Sequence, residues 1–115
     1  TYSLHVARNY PAEKTPGTVD VGLDRFASGT TYLRALAETL PPFLDRHRPD
    51  LVVWVSGADP HAEDRFGQLR LSDPDMAERD RFVLGAVRRE RRLPCVVLYG
   101  GGYNRVRDHT AELHA

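Results

Sequence analysis

Two uninterrupted apolar runs constrain this chain most: Leu51-Val-Val-Trp-Val55 and Cys95-Val-Val-Leu-Tyr99. Runs this rich in β-branched and aromatic residues, with no polar alternation, are the pattern of strands buried on both faces, as in a parallel sheet. Parallel neighbours need a crossover of a dozen or more residues, usually a helix. The stretch between the runs supplies one. Ser72-Asp73-Pro74 is a helix start, with a capping residue ahead of proline and Asp75 and Glu78 favouring the N-terminal dipole; Met76, Val83, Ala86 and Val87 extend the helix to about Arg92. The expected fold class is therefore α/β with a parallel sheet.

The rest of the chain fits that class. Tyr2, Leu4 and Val6 alternate with Ser3 and His5 as a short strand cut by the chain start. A polar, Pro- and Gly-punctuated loop from Ala7 to Thr31 holds a possible short strand at Val19, Val21 and Leu23. A loop of that length inside a compact domain is uncommon unless it is functional or covers something. Thr30 or Thr31 can cap a helix whose stripe runs through Leu33, Leu36, Ala37, Leu40, Phe43 and Leu44. Because the stripe keeps its phase across Pro41-Pro42, one kinked helix ending at Arg48-Pro49 is expected. A final short helix is expected near Asp108.

Charge and composition exclude several classes. Lys+Arg and Asp+Glu balance at 16 each in 115 residues, so there is no electrostatic reason to expect nucleic acid or an anionic membrane as partner. The longest apolar run falls far short of the roughly 20 residues that span a bilayer. A single cysteine, Cys95, forms no internal disulfide and suits a reducing, cytoplasmic setting. Within its apolar strand it reads as a buried, inert thiol, and Trp54 reads as core.

Ligands of open parallel sheets bind beyond the carboxyl ends of the strands. There the chain carries Ser56-Gly-Ala-Asp59-Pro-His61 and Gly100-Gly-Gly-Tyr103-Asn104. If the two strands are neighbours, Asp59 and Tyr103 face one crevice. Asp59 has two readings, a turn former ahead of Pro60 or a carboxylate ligand for a divalent metal. Asp59 and His61 alone do not make a zinc site, which needs three or four ligands. His5, His47, His109 and His114 show no helical i, i+4 pairing and read as surface or loop histidines. The triple glycine fits no complete phosphate-loop pattern. Either it lets backbone approach a bound substrate and presents the Tyr103 hydroxyl to a developing oxyanion, or Tyr103 is an ordinary core or surface tyrosine. Arg88-Arg-Glu-Arg-Arg92 reads as a solvated helix end that complements the C-terminal dipole.

Taken in order, Ser3-Leu-His5, Asn9-Tyr-Pro11, Asp20-Val-Gly-Leu23, Arg48-Pro-Asp-Leu-Val52, Ser56-Gly-Ala-Asp59-Pro, Asp64-Arg-Phe-Gly-Gln-Leu-Arg-Leu-Ser72, Glu78-Arg-Asp80 and Tyr99-Gly-Gly-Gly-Tyr103 resemble the zinc-dependent histone deacetylase family, which includes bacterial acetylpolyamine amidohydrolases and acetoin-utilisation proteins. The segment from Asp64 to Ser72 looks closer to class IV-like and bacterial members. The resemblance implies an arginase-like, three-layer α/β fold with a central parallel sheet, and a Zn2+ at the carboxyl end of its strands. By that carry-over, Asp59 is one of three protein zinc ligands, and the Tyr103 hydroxyl polarises the amide carbonyl. Phe66 lines the acyl tunnel and Gly101 and Gly102 wall the pocket, with Tyr10 near an aromatic tunnel-wall position. Ser3 and Leu4 match a segment that binds a structural monovalent cation, K+ or Na+. The implied substrates are acetylated lysine, acetylated polyamine or another small acyl amide.

The family's Asp-x-His motif, which carries the other two ligands, and its adjacent histidine pair are not in this sequence. Asp59-Pro-His61 is not that motif, because its Asp aligns with the later ligand. The expectation is thus that residues 1–115 are the C-terminal part of a deacetylase domain, incompetent alone. The alternatives are a non-catalytic binding module retaining part of the fold and, with less in its favour, a nucleotide-binding domain using the glycine loop.

Overall fold

The computed structural model describes residues 1–11 and 13–114. In chain order the elements are β1 (Tyr2–Val6), β2 (Val19–Leu23), α1 (Gly29–His47), β3 (Val52–Ser56), α2 (Asp73–Leu84), β4 (Cys95–Tyr99) and α3 (Arg107–Glu112); α2 continues into a π-helical segment, Gly85–Glu90. Among the described residues the strands form two parallel pairs rather than the single central sheet expected. β1 pairs with β2, Leu4 opposite Val21, and β3 pairs with β4, Trp54 opposite Val97. The pairs flank a cleft of about 480 Å³ lined by Tyr2 and Leu4 on one side and Val52 to Val55 on the other.

α1 begins two residues earlier than expected, because Ser28 rather than Thr30 or Thr31 is its cap: the Ser28 side chain accepts from the Thr31 amide at 3.2 Å. The helix runs through Pro41 and Pro42 to His47 and ends at Arg48, which takes a left-handed conformation (φ 44°). Tyr32, Leu36, Leu40 and Leu44 form its buried stripe, each four residues from the next. Leu33 and Phe43 lie at the stripe's edge, and Ala37 is exposed rather than part of it.

α2 starts as its sequence predicts. Ser72 accepts from the Asp75 amide, Asp75 accepts from the Ser72 amide at 2.9 Å, and the two together close a capping box. The Ser72 hydroxyl, 2.6 Å from Asp75 Oδ2, and after it the Ser72 amide hold the Asp75 carboxyl below its ordinary pKa. The helix buries Met76 and Val83 against α1, and the π segment adds Ala86 and Val87.

Neither apolar strand is buried on both faces, contrary to the expectation. In β3, Val52 and Trp54 pack toward the core while Val53 and Val55 are 55% and 61% exposed. In β4 only Cys95 is half-buried, and Val96 to Tyr99 are all exposed. The core thus covers the Val52 and Trp54 face of β3, whereas β4 beyond Cys95 is exposed on both faces among the described residues. Cys95 is therefore less enclosed than expected, although what burial it has still raises its thiol pKa.

Candidate active site

Parallel pairing of β3 with β4 brings the two polar clusters together. The Gly101 carbonyl accepts from the amides of both Ala58 (2.5 Å) and Asp59 (3.1 Å), so the loop after β4 is stitched directly to the loop after β3. The Asp59 carboxylate lies between two glycines. A Cβ on Gly57 would come within 2.6 Å of Asp59 Oδ1, and one on Gly101 within 3.0 Å of its carboxyl carbon. Gly67 closes the other side, since a Cβ there would overlap the Asp59 carbonyl oxygen. Only glycine leaves the room that this approach needs.

Arg79 of α2 fixes the end of β3. Its guanidinium is buried, donates to the Gly57 carbonyl (2.6 Å) and the Ser56 hydroxyl (2.9 Å), pairs with Asp80 (2.6 Å), and lies over the Trp54 ring. Asp59 feels this charge without bonding it. Among the described residues no cation forms an ion pair with Asp59. Burial, reinforced by the charge of Asp64, raises its pKa, and this outweighs the lowering by its own backbone amide and Arg79. A half-buried carboxylate in a glycine cradle with no bonded cation suits one ligand position of a divalent metal.

Asp64 organises the rim. Its Oδ1 accepts from the amides of Phe66 and Gly67, both at 2.8 Å, and its Oδ2 from the Tyr103 amide at 2.5 Å. Arg65 donates to the Tyr103 carbonyl (3.0 Å), and the Phe66 and Tyr103 rings meet edge to face with centroids 5.3 Å apart. Asn9 donates to the Phe66 carbonyl (2.8 Å), which brings the early loop, and with it the exposed Tyr10, to the same rim. Ser3 and Leu4 are elsewhere, on β1, where the Ser3 hydroxyl is bonded to His5 Nδ1 (2.8 Å).

A second polar cluster lies next to these loops, and sequence reading missed it. His61 Nε2 is 2.8 Å and His109 Nε2 3.1 Å from the same oxygen, Oδ1 of Asp73. His61 is buried, the two rings meet edge to face, and the set can coordinate a metal ion. His109 is thus not an isolated surface histidine, and Asp73 is more than part of a helix start. The three ligands come from separate segments at spacings with no local motif, so no scan along the chain pairs them.

Comparison with known proteins follows the geometry. Residues 1–114 match the histone deacetylase domain. The chain belongs to the histone deacetylase family. An uncharacterized protein from Picosynechococcus is 34% identical over 103 residues, 90% of this chain and 34% of that protein. Histone deacetylase 2 of Arabidopsis thaliana is 38% identical over 79 residues, 66% of this chain and 20% of that protein. A crystal structure of acetylpolyamine aminohydrolase from Burkholderia pseudomallei superposes with a TM-score of 0.76 at 22% identity, covering 97% of this chain and 33% of that one; this likeness shows the α/β fold. The chain thus spans about a third or less of these three proteins. Among the described residues no helix is long and apolar enough to cross a membrane.

Proposed function

We propose that the chain is the C-terminal part of a zinc-dependent amidohydrolase that removes acetyl groups from acetyl-lysine, an acetylated polyamine or a related small acyl amide, and that residues 1–115 are incompetent alone. One observation carries this reading: the glycine-cradled Asp59 carboxylate faces the loop that bears Tyr103, joined through Gly101. Asp59 would hold the zinc together with ligands outside this chain; bound there, the metal supplies Lewis-acid polarisation of the acyl carbonyl and a more acidic water.

The chain's own residues do the remaining work. The Tyr103 hydroxyl donates to the oxygen that gains charge as the amide carbonyl is attacked. Asp64 sets the Tyr103 backbone and the Phe66 turn on one carboxylate, so the donor and the tunnel wall are positioned together. Phe66 and Tyr10 offer apolar surface to the acyl-bearing side chain at the rim. Gly101 and Gly102 let backbone wall the acetyl group closely. Ser3 and Leu4 would serve a structural K+ or Na+ away from the chemistry.

Two features support the larger domain. The apolar outer face of β3 and β4 is of a kind that folded proteins ordinarily cover, and the cleft between the strand pairs has the apolar lining that further strands of a central sheet would meet. The same exposed face is what a non-catalytic interaction module would use. Tyr103→Phe in the protein carrying this chain separates the readings: zinc content stays the same while kcat on an acetyl-lysine peptide and on acetylputrescine falls about 100- to 1,000-fold. Unchanged turnover, or no turnover by the parent protein, would overturn the hydrolase reading. The lone cysteine supports a cytoplasmic setting.

A further inference from the structure

We infer that His61, Asp73 and His109 form a second divalent-metal site, of the zinc class, which clasps the segment after Asp59 to the segment after Tyr103. It does not rest on the hydrolase reading, since no member of the set is shared with the Asp59 cradle. Ligand atoms about 2.0–2.1 Å from a tetrahedral zinc lie about 3.3 Å from one another. The two imidazole Nε2 atoms stand 2.8 and 3.1 Å from Asp73 Oδ1, and one ligand atom from each residue lies within 4.8 Å of the others. A spread of a few tenths of an ångström opens the histidine-carboxylate pairs to that size. Two imidazoles and one carboxylate suit zinc, cobalt or nickel rather than calcium or magnesium. Asp73 is 62% exposed on its side chain, which leaves a fourth position facing solvent.

The hydrogen bonds around the cluster fix the imidazole tautomers and show how they would change. Asn104 is buried between the rings, with its Nδ2 3.2 Å from His61 Nδ1 and 3.4 Å from His109 Nδ1; the Glu63 amide also points at His61 Nδ1, at 3.3 Å. An amide N–H only donates. His61 Nδ1 is therefore an acceptor, set by the Glu63 backbone amide, and its Nε2–H donates to Asp73; His109 takes the same tautomer while the Asn104 amide keeps this orientation. When a metal takes the two Nε2 atoms, each ring stays neutral by moving its proton to Nδ1. No proton is lost from either ring. Metal-bound histidines hold orientation by donating that other N–H to a fixed acceptor. Asn104 can provide it. Its Oδ1 is buried and has no hydrogen-bond partner among the described residues, so no bond at Oδ1 opposes a half turn of the amide. That half turn sets Oδ1 to accept from both Nδ1–H groups; the Glu63 backbone amide, a donor only, has to move off His61 Nδ1 as that atom takes the proton, and the Glu63 carboxylate, 3.7 Å from His109 Nδ1, is a second acceptor.

The clasp has a mechanical consequence. His61 lies two residues beyond Asp59, Asn104 directly follows Tyr103, and His109 belongs to α3, while Asp73 sits at the start of α2. One ion would tie all three segments together, two of them flanking the crevice.

The test is Co2+ and Zn2+ titration of the protein carrying this chain, freed of metal beforehand and in its Asp59→Asn form, which takes the Asp59 ligand away. One equivalent of Co2+ is expected to produce the intense visible bands of a tetrahedral ion, and Zn2+ to displace it and raise Tm. Asp73→Asn and His109→Gln weaken Co2+ binding by more than tenfold, and Asn104→Leu by about 10- to 100-fold, with far-UV circular dichroism confirming that each variant folds. Should a variant fail to fold, long-range 1H–15N spectra of the parent chain decide: zinc shifts the Nε2 signals of His61 and His109 and moves the ring protons to Nδ1. No Co2+ binding, binding that follows Asp59 and ignores His109, or imidazole signals that do not move would each overturn the proposal.

Discussion

Asp59 and His61 stand two residues apart and occupy contrasting surroundings. Asp59 lies in a cradle of glycines, with no ion-pair partner among the described residues and a pKa raised by burial. His61 is bonded on both ring nitrogens, to Asp73 on one side and to Asn104 and the Glu63 amide on the other. The backbone between them makes a tight turn, in which the His61 amide donates to the Ala58 carbonyl and the Asp64 amide to the His61 carbonyl. A single turn thus sends one side chain toward the loop after β4, with no ion-pair partner among the described residues, and the next polar one into a fully bonded cluster. Two such surroundings can share a loop when backbone bonds, together with Asp64 and Arg79, hold the loop's shape.

That contrast can be broken from the frame downward. Arg79 supports the Asp59 side alone, through Gly57 and Ser56. Arg79→Leu removes a buried guanidinium and leaves those acceptors unpaired, so a loss of about 3 kcal/mol in urea unfolding is expected; a loss under about 1 kcal/mol would mean that the turn stands without it. Gly67→Ala forces a Cβ onto the Asp59 carbonyl and is expected to cost about 2 kcal/mol by displacing the cradle. Ser72→Ala acts on the other side. It removes the cap one residue before Asp73 and should cost about 1 kcal/mol, loosening the cluster while leaving Asp59 untouched.

The smallest effect concerns pH. Because the native Asp59 carboxyl holds its proton more tightly than in the unfolded chain, its stabilising contribution is full below the unfolded pKa of about 3.9 and is lost as pH rises through the raised native value. Asp59→Asn is therefore expected to match the parent most poorly at neutral pH, where the variant is the more stable, and to lose that advantage near pH 3 to 4 in metal-free buffer. Urea midpoints for both proteins across this range check the sign, and a pH-independent difference would show that Asp59 is solvated.

How much of this was legible in the sequence differs between the two regions for the same reason. The strands, the crossover helix and the Asp59 and Tyr103 loops follow from contiguous signals: apolar runs, a Ser-Asp-Pro start, glycines after a strand. Parallel pairing then puts the loops side by side. The histidine cluster draws on positions 61, 73 and 109, whose only relation is tertiary, and each has a sufficient local reading of its own. Burial on both faces of β3 and β4 was over-read because an apolar run reports what a strand's faces are suited to, whereas the cover present on each face depends on the segments packed against it. Ser28 does not stand out as the cap, because Thr30 and Thr31 offer the same chemistry two residues on.

The central claim is that hydrolysis belongs to the Asp59–Tyr103 crevice and that the histidine cluster supports it from beside. Turnover of an acetyl-lysine peptide by Asp59→Asn and His109→Gln variants of the protein carrying this chain tests it directly. The expected result is a loss on the order of 100-fold or more for Asp59→Asn, with His109→Gln within about tenfold of the parent. The reverse order, with His109→Gln inactive and Asp59→Asn near normal, would contradict it.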